Sequence, residues 1–472
     1  MNSQQSACSF LGLDSNLWRR TCSRTAVGGS LALTVLVMIS TLLIGAARVG
    51  AQNEKTKVSF KDFTRGCAVS REVIDSFLAG PSWAKFDPVM GFLQRDYVLR
   101  DAQDNTSALY TFRQNGARTS FLYANRKPRI NVYGDSFAES QQVNDGETWE
   151  EYLAGHLGEP IGNYGIGSYG VYQAYRRMIR EEKTDHGAEY IIFYIWGDDP
   201  IRSLMRCRYC ALYRSFKEGR QTAGQFQNNF WAHLEMDLET GQFVEKENPL
   251  PTPESLYHMT DPQWMEDHLK DDLALQLSAY VEGYIDELDH ERVSKLAAAL
   301  DFPFDWSLDT RKVVPGEFPG APARTPMQNQ AAALGSRYAQ RGTIYILGKV
   351  QAFARENHKK LLVVIFDPYW VMLEMHYGLP RNDQETVNYL IKEKIDYFDM
   401  NEAHIKDFTK YRISWDEYRK LYFIGHYNPA GNHFFAYSIK DKVVEMLDPK
   451  PVTYRDTDPR NFDFTDYKPG YH

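Results

Sequence analysis

The chain has 472 residues, 43% of them hydrophobic and 25% charged, a balance that suits one large or two ordinary globular domains and argues against disorder. Its formal net charge of −8 leaves no electrostatic footprint for nucleic acid, and that class of partner is set aside. Five cysteines are too few for a disulfide scaffold in a chain this long.

Residues 26–47 contain no charged side chain, and the run 31–44 within them is strongly apolar. About 20 such residues cross a bilayer core as a helix. Arg19, Arg20 and Arg24 precede the run and only Arg48 follows closely, so the positive-inside bias keeps residues 1–25 in the cytoplasm and sends the rest across. The run 26–47 reads as a transmembrane anchor, or as a signal peptide cut after Val49-Gly50-Ala51; a buried core helix is the bland alternative. Either leading version makes the remainder membrane-anchored or secreted, with its chemistry in the periplasm or outside the cell. Of the cysteines, Cys67, Cys207 and Cys210 would be exported. Cys207 and Cys210 suit a local disulfide, or one of them suits a pairing with Cys67. No cluster has the ligands for zinc, and no metal or cofactor is expected.

Residues 52–128 read as an N-terminal extension of short strands and turns, with strands near 96–99 and 108–113. A strand–helix alternation then sets in. Strands are expected at 130–133, 161–164, 190–196, 361–366 and 396–399. Helices are expected at 140–157, 171–182, 344–358, 385–393 and 429–447. The stretch 201–341 interrupts the rhythm as a long, mainly helical insert with helical pieces over 261–300, placed as a lid or an acceptor wall. The domain 129–447 is therefore α/β, a parallel sheet covered on both faces, followed by a polar tail, 448–472.

In such a sheet, reactive groups gather in loops at the carboxyl ends of the strands. Gly134-Asp135-Ser136-Phe137 follows the first strand, and there the Ser136 N–H is placed to meet a developing negative charge. Asn163-Tyr164-Gly165-Ile166-Gly167-Ser168-Tyr169-Gly170 follows the second, with glycines that let backbone approach a ligand. Gly197-Asp198-Asp199 ends the third, and Gly425-His426-Tyr427-Asn428 precedes the last helix. Each block taken alone also reads as an ordinary turn or cap. A serine and a histidine this far apart in sequence form a nucleophile–base pair only through the fold.

These four blocks, in this order, resemble the SGNH/GDSL hydrolase superfamily, particularly bacterial members with a long insert after the third block. The resemblance spans residues 129–200 and 342–447. It implies a flavodoxin-like three-layer α/β/α sandwich with a parallel sheet, and an esterase or acyl-transfer site in it. Ser136 would be the nucleophile and His426 its base. The oxyanion would be held by the Ser136 amide, by the amide of Gly167 or Ser168 in the block that Asn163 opens, and by the third-block side chain, here Asp198. The implied partner is an ester-bearing small molecule, lipid or glycan. The α/β-hydrolase elbow Gly-x-Ser-x-Gly is absent, since Phe137 and Ala138 follow Ser136.

Two departures from the family pattern stand out. Asp198 occupies the position of an asparagine, and an ionised carboxylate cannot donate a hydrogen bond; only a protonated one would serve. Phe423-Ile424-Gly425 replaces the acid that precedes the histidine, so a backbone carbonyl or a distant acid must orient His426. These departures motivate the alternative of a weak or inactive SGNH-like module that binds an envelope glycan or lipid.

Overall fold

A computed structural model describes residues 57–80, 83–100, 107–211, 226–451 and Tyr454. The apolar run 26–47 lies outside the described residues, among which no helix is long and apolar enough to cross a membrane.

Five strands make the central sheet: β1 (Ile130–Tyr133), β2 (Ile161–Asn163), β3 (Tyr190–Trp196), β4 (Lys360–Phe366) and β5 (Tyr397–Asp399). All pairings are parallel, and the order is β2-β1-β3-β4-β5. The register sets Ile130 opposite both Ile161 and Tyr190, and Trp196 opposite Phe366. Strand order reverses between β1 and β3, and a sheet of this order offers its ligand crevice at the carboxyl ends of that pair.

Alternate residues of β3 explain why the sheet needs cover on both sides. Ile191, Phe193 and Ile195 join one apolar cluster, with side chains of α2 (Val171–Glu181) and α3 (Pro326–Glu356). Ile192 and Tyr194 join a second cluster, with α1 (Trp149–Leu157), α4 (Met400–Phe408) and α5 (Pro429–Met446). Helices thus lie against both faces in three layers, as expected for strands buried on both sides.

Several boundaries differ from the sequence expectation, each for a physical reason. Helix α1 begins at Trp149, not 140, behind a Thr148 cap. The residues before it cannot be helical, because Ser140 and Gln142 have φ of 61° and 76°, a region L-residues enter only when held there. The buried Arg118 guanidinium holds them. It takes the carbonyls of Glu139, Ser140 and Val143, which a helix would have used. Helix α3 starts at Pro326 rather than 344, behind a Thr325–Gln328 capping box, so the insert ends earlier than 341. The helical stretch 261–300 is three helices, each begun by an aspartate cap at Asp261, Asp272 or Asp289.

The insert also holds an unanticipated hairpin, His233–Asp237 with Gln242–Lys246. Its Leu234 and Met236 share one core with the sheet. The N-terminal extension carries two helices besides its strands, Phe60–Arg65 and Arg71–Ala79. Val58 pairs with Ile285 of the insert. Cys67, Cys207 and Cys210 are free, buried thiols rather than the disulfide expected. Cys210 lies within hydrogen-bond reach of both others.

Candidate active site

The turn after β1 carries Ser136, 7% exposed. Asp135 shapes that turn: its Oδ1 accepts the N–H of Phe137 at 2.9 Å and that of Ala138 at 3.4 Å. Its other oxygen lies 3.2 Å from Ser136 Oγ. Burial raises the Asp135 carboxyl to about 6, against the opposing pull of the Arg202 guanidinium. Close packing keeps the turn tight, for a methyl on Gly165 would collide with the Ala138–Glu139 backbone.

The loop before α5 brings His426 to the same place. Its Nε2 lies 2.7 Å from Ser136 Oγ, across 290 residues of chain. The ring packs on Phe137 with 4.8 Å between centroids. Burial, with Arg202 as a second cause, lowers the imidazole pKa to about 3, so at neutral pH it is uncharged and able to accept a proton.

Among the described residues neither a backbone carbonyl nor an acid orients His426. Gln142 does. Its Oε1 lies 3.2 Å from His426 Nδ1 and accepts the His426 backbone N–H at 2.6 Å. A backbone N–H can only donate, so the amide must present oxygen, not nitrogen, to the histidine. The same oxygen then takes the Nδ1 proton, which leaves the Nε2 lone pair for the Ser136 hydroxyl. Gly425, at φ 115°, allows this approach, since a methyl there would sit 2.7 Å from Gln142 Oε1. Gln142 is itself held from the N-terminal extension. Its backbone N–H donates to the Tyr110 hydroxyl, and Arg118 lies 4.1 Å over the Tyr110 ring.

The expected oxyanion donors divide. Gly167 lies beside Ser136, but its N–H donates at 2.7 Å to the buried Glu139 carboxylate, which Gln94 and Tyr97 also contact. Gly167 is thereby spent. The amides of Ser136 and Ser168 donate to no described group. Ser168 holds φ at 79°, a left-handed geometry that a non-glycine residue adopts only under constraint. Asn163 shapes the loop and does not face the site. Its Oδ1 accepts the Gly165 N–H at 3.0 Å, and its Nδ2 donates to the Glu139 carbonyl.

Asp198 is ion-paired to Arg202, through Nη2 at 2.8 Å and Nε at 3.2 Å. A carboxylate so held accepts and does not donate, so it cannot take the role of the asparagine that the resemblance placed at this position. Arg202 also donates to the buried Asp199 at 3.0 Å, whose carboxyl is raised by burial and by Asp135.

Sequence reasoning missed Gln142, Arg118, Glu139 and Arg202. Arg202 alone had a local signal, the i,i+4 spacing from Asp198 on a helical turn. No protein-family profile matches the chain, and no curated protein matches it.

One buried group near the site yields a stability prediction. Glu150 accepts Ser140 Oγ–H at 3.1 Å, its other oxygen has no partner among the described residues, and burial raises its carboxyl to about 8. The folded pKa exceeds the unfolded one, so the folded state binds the proton more tightly, and stability falls as pH climbs from the unfolded value toward 8. Glu150→Gln is expected to raise Tm above about pH 8 and leave it unchanged near about pH 4. Thermal melts at both pH values check this, and an equal shift at both would contradict it.

Proposed function

We propose that this chain is a serine esterase or acyl-transfer enzyme of the SGNH/GDSL type, working on the outer side of the membrane that its N-terminal apolar run addresses. The observation that carries the reading is the 2.7 Å contact of Ser136 Oγ with His426 Nε2, on a ring whose other nitrogen rests on Gln142.

In the proposed reaction the Ser136 proton passes to His426 Nε2 while Oγ bonds to the ester carbonyl carbon. The carbonyl oxygen becomes an oxyanion, received by the free amides of Ser136 and Ser168. The tetrahedral intermediate collapses, the carbon–oxygen bond to the alcohol breaks, and the imidazolium returns its proton to that alcohol. Water, or the hydroxyl of a sugar or lipid acceptor, then removes the acyl group by the same steps in reverse order. Hydrolysis and transfer differ only in which hydroxyl arrives.

A second reading, a binding module without turnover, draws support from Gly167 being spent on Glu139 and Asp198 on Arg202. One experiment separates the two: the full-length protein treated with a fluorophosphonate probe, with mass spectrometry of its peptides. The esterase reading expects saturable modification of Ser136 together with release of para-nitrophenolate from para-nitrophenyl acetate. No modification and no release would leave the binding module standing.

A further inference from the structure

Three arginines lie on the segment that follows β3. Arg202 is paired with Asp198 and Asp199, and Arg206 with Glu235 and Asp271. Arg208 differs. Among the described residues it has no carboxylate within ion-pair reach, and only its Nη1 is engaged, to the Ser168 carbonyl at 3.1 Å and Asn228 Oδ1 at 3.3 Å. Its Nε and Nη2 hydrogens donate to no described group. A partly buried guanidinium without a carboxylate in contact is costly to desolvate, and such a cost persists where a ligand supplies that contact.

The position of Arg208 fits that explanation. It contacts the carbonyl of Ser168, the residue whose own N–H is free for the oxyanion. Ser168 follows Gly167, where an added methyl would lie 3.6 Å from Ser136 Cβ. The Arg208 charge also lies within electrostatic range of Asp135, Asp198, Asp199 and Arg202, the groups around the nucleophile. Burial and the like charge of Arg202 lower its pKa to about 9, the direction for a cation that lacks its partner. Arg202 is already taken up by Asp198 and Asp199, which leaves Arg208 as the guanidinium beside this loop with donors that meet no described group, and its fork suits a single carboxylate.

We propose that Arg208 anchors a carboxylate carried by the substrate beside its ester; among ester-bearing glycans that chemistry belongs to an acylated acidic sugar of the uronate class. The planar fork of guanidinium donors matches a carboxylate in two-point contact. The proposal rests on the esterase reading for the ester, but the anchor is testable without turnover.

The test measures binding to full-length protein carrying Ser136→Ala, by titration calorimetry. The probes are trigalacturonate, the neutral maltotriose, and glycerophosphoglycerol as a phosphodiester. Trigalacturonate is expected to bind about tenfold or more tightly than maltotriose, as a charged hydrogen-bonded pair allows. Adding Arg208→Gln should erase that preference, and Arg208→Lys should keep part of it. In the background that retains Arg208, rising salt should weaken trigalacturonate binding and leave maltotriose unaffected; this arm holds even if an Arg208 variant folds poorly. The anchor is overturned by unchanged trigalacturonate affinity in Arg208→Gln, by preference for the phosphodiester, or by the lack of any uronate binding. Uronate binding that depends on Arg208, in a protein whose wild type neither hydrolyses esters nor reacts at Ser136, would sink the esterase reading alone.

Discussion

Replacement of Ser136 by alanine is expected to lower kcat for para-nitrophenyl acetate by about ten-thousandfold or more, because removal of the nucleophile leaves only binding and the oxyanion amides. Serine and histidine act as one unit in this chemistry, so Ser136→Ala combined with His426→Ala should be barely worse than either change alone. The fold should survive, since the Asp135 carboxylate accepts the Phe137 N–H whether or not the Ser136 hydroxyl is present. Initial rates on the purified single and double variants check this. A Ser136→Ala protein within about tenfold of wild type would remove Ser136 from the nucleophile's role.

The second large effect is expected at Gln142. Among the described residues its Oε1 is the one acceptor on His426 Nδ1, so Gln142→Leu frees the ring to adopt the wrong tautomer and to turn from Ser136. Mis-set tautomers cost up to about ten-thousandfold in the best-studied triads. Here Phe137 still packs on the ring, and a loss of about a hundred- to a thousandfold in kcat is expected, with KM little changed.

Gln142→Glu tests the electrostatic side of the same contact. A carboxylate beside Nδ1 stabilises the imidazolium and raises the histidine pKa. In the wild type burial and Arg202 hold that pKa near about 3, so activity should persist into acid solution. In Gln142→Glu the acid limb of kcat/KM should move upward, because His426 then stays protonated to a higher pH. An unmoved acid limb, or full activity in Gln142→Leu, would mean that another group orients the ring.

Much of the architecture was legible in the chain itself. The apolar runs at 190–196 and 361–366 match β3 and β4 nearly residue for residue, since strands buried on both faces need continuous apolar sequence. Pro429 and the cap at Asn428 mark the start of α5. Order along the chain, one turn after β1 and one loop before α5, nominated Ser136 and His426 together with the resemblance of the four blocks to the SGNH/GDSL superfamily. Those signals are local: each needs only neighbouring residues to be read.

The partners of that pair were decided elsewhere. Gln142 meets His426 across 284 residues, and it does so only because a buried arginine from the N-terminal extension bends residues 139–143 out of helical geometry. That same region sounds like a helix in sequence. Burial then separated Gly167 from Ser168, by placing Glu139 where it could take one amide and leave the other. The sequence alone determined which side chains can transfer a proton. Tertiary contacts determined which nitrogen holds it, because hydrogen bonds between distant residues exist only once the sheet has brought their loops to one edge.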